Sequence, residues 1–139
     1  MFKNLLIPVD VNQSDIALQA LSAAKPYVNG AKICIMNVRY IVPQMMGEYL
    51  PDDFDDRADE EARGFLKKLA RESGLDESQV NYHVALGTVY HEILLQADKI
   101  KSDLIIIGSH HPTMATYLIG SNAQRVVRHA KCSVLVVRV

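Results

Sequence analysis

Leu104-Ile105-Ile106-Ile107 is apolar at every position. Successive side chains of a strand point to opposite faces, so a strand of this composition must be covered on both. That requirement selects a parallel sheet sandwiched between helices. Other strands of the same kind are predicted at Lys3–Val9, Ile33–Val38 and Ser133–Val139, and a half-exposed one at Val80–Val84, where Asn81 and His83 alternate with Val80, Tyr82 and Val84. This alternation predicts a sheet edge.

Helical spacing fills the intervals. Ala17, Ala20, Leu21, Ala24 and Val28 form one apolar stripe, with Ser14 as the expected N-cap and Asn29-Gly30 as the stop. Ala58, Ala62, Phe65, Leu66 and Leu69 form a second, ending near Gly74. Val89, Ile93, Leu94 and Ala97 form a third behind Thr88, an expected cap. Ala123, Val126, Val127 and Ala130 form a fourth, opened by a Ser121…Gln124 capping box. Arg39–Asp56, with Pro43, Gly47 and Pro51, has no clear period and reads as a long functional or mobile loop. A second loop is expected from Gly108 to Gly120.

Strands alternating with helices, joined by right-handed crossovers, give a five-stranded parallel α/β sheet with helices on both faces. The expected strand order is 3-2-1-4-5. No linker or repeat divides the 139 residues, so one domain over 1–139 is expected. No apolar run approaches the about 20 residues of a membrane span, and the opening Met1–Pro8 lacks the apolar core of a signal peptide. Cys34 and Cys132 have no metal-binding spacing and suit a reducing cytoplasm, each as a buried and inert thiol.

Net charge is −1, which offers no global field for nucleic acid or a membrane. The charges are nonetheless segregated. Half of the 16 acids lie between Glu48 and Glu61, and none follows Asp103, whereas Arg125, Arg128, Lys131 and Arg138 do. The basic segment reads either as a solvated face or as a site for a small anion; for Arg125 and Arg128 the solvated face is favoured.

In open sheets of this kind a ligand binds beyond the carboxyl ends of the strands, where strand order reverses. Asp10, Val38 and the segment from Gly108 onward occupy those positions. Gly108-Ser109-His110-His111-Pro112 leaves a buried strand, and Gly120-Ser121-Asn122 opens a helix. Two glycines beside a helix N-terminus can form a phosphate site; two ordinary turns would have the same spacing. There is no G-x-x-x-x-G-K-[ST], no G-x-G-x-x-G after the first strand and no G-x-S-x-G. Asp10 reads as a nucleotide contact, a phosphoacceptor or a cap of the following loop. A phosphoacceptor would require further acids for a divalent ion, and only Asp10 ends a buried strand. Adjacent His110 and His111 point to opposite sides of an extended chain and do not make a metal pair. His83 and His129 read as surface groups, and Met36, Met45, Met46 and Met114 as packing or flap residues.

The chain resembles the universal stress proteins along its whole length. The resemblance rests on Ile7-Pro8-Val9-Asp10, Asn37-Val38, Gly87, the stretch from Ile106-Ile107-Gly108-Ser109-His110 to Leu118-Ile119-Gly120-Ser121-Asn122, and Val134-Leu135-Val136-Val137-Arg138. It is most similar to the small single-domain bacterial F/G type. The nucleotide-binding branch of that family carries G-x2-G-x9-G-[ST]. Gly108 and Gly120-Ser121 match it, whereas His111 replaces the second glycine and the loop to Gly120 is one residue shorter, a variation that the F/G type shares.

The resemblance implies a Rossmann-like fold of the adenine nucleotide alpha hydrolase type and a cytoplasmic stress-response protein binding ATP, ADP or AMP, with Mg²⁺ on the phosphates as an option. It implies nucleotide contacts at Pro8, Asp10, Val38, Ile107, Gly108, Ser109, His110, His111, Gly120, Ser121 and Asn122. Asp10 and Val38 would lie at the adenine and ribose end, and the glycine segment would lie along the phosphates. It also implies a homodimer, or a higher oligomer, through Val134, Leu135, Val136 and Val137, an apolar edge strand without the usual blunting charges. No catalytic constellation is legible. Slow ATP hydrolysis or nucleotidyl transfer through His110 or Asp10 is the enzymatic alternative, and a nucleotide-free adaptor is the other.

Overall fold

The structure, a computed structural model, describes residues 1–109 and 120–138, without the Gln44 side chain. Five parallel strands form one sheet in the order β3-β2-β1-β4-β5. The strands are β1 (Asn4–Pro8), β2 (Lys32–Arg39), β3 (Val80–Leu86), β4 (Leu104–Ser109) and β5 (Ser133–Arg138). The helices are α1 (Ser14–Ala24), α2 (Gln44–Gly47), α3 (Phe54–Ser73), α4 (Val89–Ile100) and α5 (Ser121–His129). The expected fold and strand order are both present.

Alternation along the central strands divides the core in two. Leu5, Ile7, Ile33, Ile35 and Ile106 meet Ala17, Ala20 and Leu21 of α1 and Leu66 and Leu69 of α3. Leu6, Cys34, Met36, Ile105 and Ile107 meet Ile93 and Ala97 of α4 and Ala123 and Val126 of α5. The continuous apolar strands are thereby covered on both faces. No helix among the described residues is long and apolar enough to cross a membrane.

Several local expectations need correction. α1 ends at Ala24, ahead of Asn29-Gly30, and Lys25–Tyr27 forms a 3-10 turn instead. Pro26 cannot continue the α-helical hydrogen-bond ladder, and Val28 lies beyond the helix. The long loop contains α2, and α3 starts at Phe54. Gly74 closes α3 in the left-handed conformation, φ 79°, as its sequence position predicts. β4 runs on through Gly108 and Ser109, which therefore belong to the sheet.

None of the three expected side-chain caps forms. Gln13 and Gly120 are the residues preceding α1 and α5, so Ser14 and Ser121 sit one position inside their helices. With Ser121 shifted, Gln124 is also one place too late for a capping box, and its N–H donates to the Gly120 carbonyl at 2.9 Å. Thr88 holds the cap position, but its side chain makes no cap bond. Val127 is exposed on α5, and Cys132 is only partly buried. His83 is half-buried rather than a surface group.

Candidate functional site

β1 and β4 are hydrogen-bonded neighbours only at Leu5↔Leu104 and Leu6↔Ile105. β1 stays paired with β2 as far as Pro8↔Met36, and β4 with β5 as far as Ser109↔Arg138. The two central strands thus part company toward their carboxyl ends. The gap is the crevice expected where strand order reverses. It opens into a cavity of about 590 Å³, a size that takes small molecules.

Pro8 lines it from the end of β1, Asp10 from the turn after it, Val38 from β2, Ile107, Gly108 and Ser109 from β4, and Gly120, Ser121 and Asn122 from the start of α5. His110 and His111 lie outside the described residues, as do Pro112, Met114 and Leu118-Ile119. The nine others are brought to one cleft from four separate parts of the chain.

Asp10 is exposed, and its Oδ1 accepts the Asn12 N–H at 2.9 Å while the Asp10 carbonyl accepts the Gln13 N–H at 3.0 Å. It therefore caps the turn that feeds α1 and presents its carboxylate at the cleft. It is the one carboxylate among the described lining residues. Among the described residues no group of three or more His, Cys, Asp and Glu side chains could hold a metal ion.

The two glycines differ in kind. A Cβ on Gly108 would lie 2.5 Å from Ile16 Cγ2, so the glycine is required for α1 to pack on β4. Among the described residues, a Cβ on Gly120 would meet only Ser109 Oγ at 3.6 Å, an ordinary contact. The described residues leave room for a side chain there, next to the N–H groups and partial positive charge of the α5 N-terminus. Ser109 is buried, and its Oγ accepts the Gly120 N–H at 2.7 Å.

Sequence reasoning missed the far wall. Arg39 at the end of β2 and Tyr40 and Val42 after it line this side, as do Phe54 and Ala58 of α3. Arg39 is fixed there by Asp55 at 2.9 Å and Asp59 at 2.6 Å, which ties the end of β2 to the first turns of α3. The concentration of acids between Glu48 and Glu61 was the available signal, but not its partner. Asn37 was missed as a contact too; a polar residue inside the apolar Ile33–Val38 run marked it. Arg125, read as solvated charge, stacks over the Tyr90 ring at 4.8 Å and joins α5 to α4.

The universal stress protein family model matches residues 1–138, and the chain belongs to that family. It is 29% identical to universal stress protein G of Escherichia coli O157:H7 over 99% of this chain and all of that protein. Among solved structures it is similar to universal stress protein UspA from Lactobacillus plantarum, with a TM-score of 0.74 and 24% identity over 98% of this chain and 97% of that one. A universal stress protein in complex with cAMP matches with a TM-score of 0.70 and 20% identity over 98% and 97%. The Archaeoglobus fulgidus universal stress protein in complex with dAMP matches with a TM-score of 0.64 and 20% identity over 96% of each chain.

Proposed function

We propose that residues 1–139 form a single adenine-nucleotide-binding domain that acts in the stress response through conformation and assembly rather than turnover. The observation that carries this is the cleft itself. Nine of the residues that the family resemblance implies as contacts line one cavity at the parting of β1 and β4. The cAMP and dAMP complexes of structural neighbours support an adenine nucleotide as its occupant. The phosphates belong at Gly108, Gly120 and Ser121, where the start of α5 favours negative charge. The adenine belongs toward Asp10 and Val38. ATP, ADP and AMP all fit this scheme, and a Mg²⁺ would ride on the phosphates.

The test is titration calorimetry with each nucleotide, paired with identification of any ligand released when the purified protein is denatured. Micromolar binding of at least one adenine nucleotide is expected; no binding of any overturns the reading. ATP turnover is expected to stay well below about 1 s⁻¹, the lower end of ordinary enzyme rates.

The assembly is a homodimer through β5. This strand is the outer edge of the sheet beside β4, and Val134, Leu135, Val136 and Val137 are all part-exposed there. Pairing with the same strand of a second copy, about a two-fold axis, covers them. Sedimentation should show a dimer for the wild type and a monomer for Val136→Lys; a monomeric wild type refutes the dimer alone. The free cysteines fit a cytoplasmic home.

A further inference from the structure

Five of the nine exposed large apolar side chains among the described residues fall within one short stretch after β2. They are Tyr40, Ile41, Met45, Met46 and Tyr49, from 54% exposed at Met46 to 86% at Tyr49. The other four, Met1, Leu86, Leu95 and Val127, are scattered along the chain. Single exposed apolar residues are ordinary, whereas a concentration of them marks a surface that something covers. Tyrosine and methionine are also residue types that interface centres favour.

The segment has an inner and an outer side. Tyr40, Val42 and Phe54 line the cleft, and Leu50 is partly buried. Ile41, Met45, Met46 and Tyr49 do not line the cleft. Turns hold the stretch in shape: the Met46 N–H donates to the Pro43 carbonyl at 2.9 Å, Tyr49 N–H to Met46 at 3.1 Å and Phe54 N–H to Pro51 at 3.1 Å. Arg39 anchors its start through Asp55 and Asp59. A surface held in this way loses little freedom when it is covered.

Charge identifies the cover. No lysine or arginine lies between Arg39 and Arg57, whereas Glu48, Asp52, Asp53, Asp55 and Asp56 do, all exposed. Asp53 pairs with Arg57 at 3.2 Å and Asp55 with Arg39 at 2.9 Å. Glu48, Asp52 and Asp56 have no ion-pair partner among the described residues. Apolar side chains interspersed with unpaired acids complement a partner that is both apolar and basic, and they repel acidic proteins and anionic membranes.

Backbone form identifies the partner's shape. Residues 40–53 consist of α2, turns and irregular chain, without a strand, so they offer no open ladder of N–H and C=O groups to an extended peptide. Recognition must rest on side chains, the mode in which an amphipathic helix lays its apolar face on a surface.

We propose that Ile41, Met45, Met46 and Tyr49 form a docking surface for a basic amphipathic helix of a partner protein. The surface lies outside the cleft and does not depend on what the cleft holds.

The test is fluorescence anisotropy of labelled synthetic peptides with the full-length protein. The wild type should bind a leucine–lysine peptide patterned as an amphipathic helix about tenfold or more tightly than a leucine–glutamate peptide of the same pattern. Met45→Ser/Tyr49→Ser should weaken the leucine–lysine peptide by about tenfold. Both side chains are exposed, so its denaturant midpoint should match the wild type; if it falls, Tyr49→Ser alone, at the most exposed of these sites, decides. Glu48→Gln/Asp52→Asn/Asp56→Asn should also weaken the peptide and flatten the salt dependence of its binding. No binding of the leucine–lysine peptide by the wild type overturns the proposal, as does unchanged affinity in the serine variant or equal affinity for the leucine–glutamate peptide. Loss of self-association by the serine variant in sedimentation would assign the surface to a second copy of the chain. Binding of the wild type, but not that variant, to phosphatidylcholine vesicles would assign it to a membrane. Either result also overturns the proposal.

Discussion

Ser109 and Gly120 are 11 residues apart, and the Gly120 N–H donates to Ser109 Oγ at 2.7 Å. One is the last residue of β4, and the other immediately precedes α5. The bond satisfies one donor at a helix end where the local side chain does not. It also fixes the start of α5 against the cleft. Ser109→Ala should therefore cost about 1–3 kcal/mol, because it leaves a partly buried N–H without a partner. Ser121→Ala should be close to neutral, since Ser121 caps nothing. Urea unfolding of both variants checks the pair; a cost at Ser121 larger than at Ser109 would reverse the assignment.

Gly108 and Gly120 should separate stability from binding. Gly108→Ala pushes a methyl group into Ile16 Cγ2 and should destabilise by about 1–3 kcal/mol. Trimming the obstacle in Gly108→Ala/Ile16→Ala should relieve that steric component, seen as favourable coupling in a double-mutant cycle. Gly120→Ala has space and should unfold near the wild-type denaturant midpoint, yet bind AMP several-fold more weakly. Equal stability losses at the two glycines would contradict this contrast.

Arg39 holds residues on both sides of the 40–53 segment together through Asp55 and Asp59. Its own side chain is well buried, although the two acids are more open. Arg39→Met keeps most of the stem and removes the clasp. Hydrogen exchange in residues 40–56 should quicken while exchange in β1 and β4 stays unchanged. Uniform acceleration across the sheet would mean that Arg39 supports the core instead.

His83 gives the stability a pH dependence. Burial, reinforced by the positive charges of Lys99 and Arg63, pushes its pKa below the ordinary 6.5, against weaker opposing fields from Glu92 and Asp59. The folded protein therefore binds fewer protons here than the unfolded chain does below pH 6.5. The contribution is complete above pH 6.5 and is lost as pH falls from there through the folded-state pKa. Thermal unfolding of wild type and His83→Gln between pH 7.5 and about 5 should show a steeper decline for the wild type; parallel curves would remove His83 as the cause.

Strand order and the position of the cleft were legible from the residues. Leu104–Ile107 demands cover on both faces, and Val80–Val84 demands it on one; the handedness of crossovers then leaves few arrangements. These are consequences of side-chain periodicity, which a chain carries in its own order. The Gly108 and Gly120 segments were legible as two turns beside a helix start, and the family motif gave them a phosphate-binding reading.

What tertiary structure alone decided is who meets whom. Ser121 and Gln124 have the spacing of a capping box, but a serine 11 residues earlier takes the Gly120 N–H, and the helix begins one residue later than the spacing suggests. Gly108 looked like an opening for a ligand, and its closest constraint is Ile16 of α1. Arg39 found its acids 16 and 20 residues away. Asn37 had an ordinary place in a strand until folding buried it at the edge of the cleft. Hydrophobic burial is non-directional and depends mainly on how much apolar surface a segment presents, so its pattern can be read locally. A hydrogen bond or a steric clash is decided within a few tenths of an ångström between residues distant in the chain, and only the folded arrangement sets those distances.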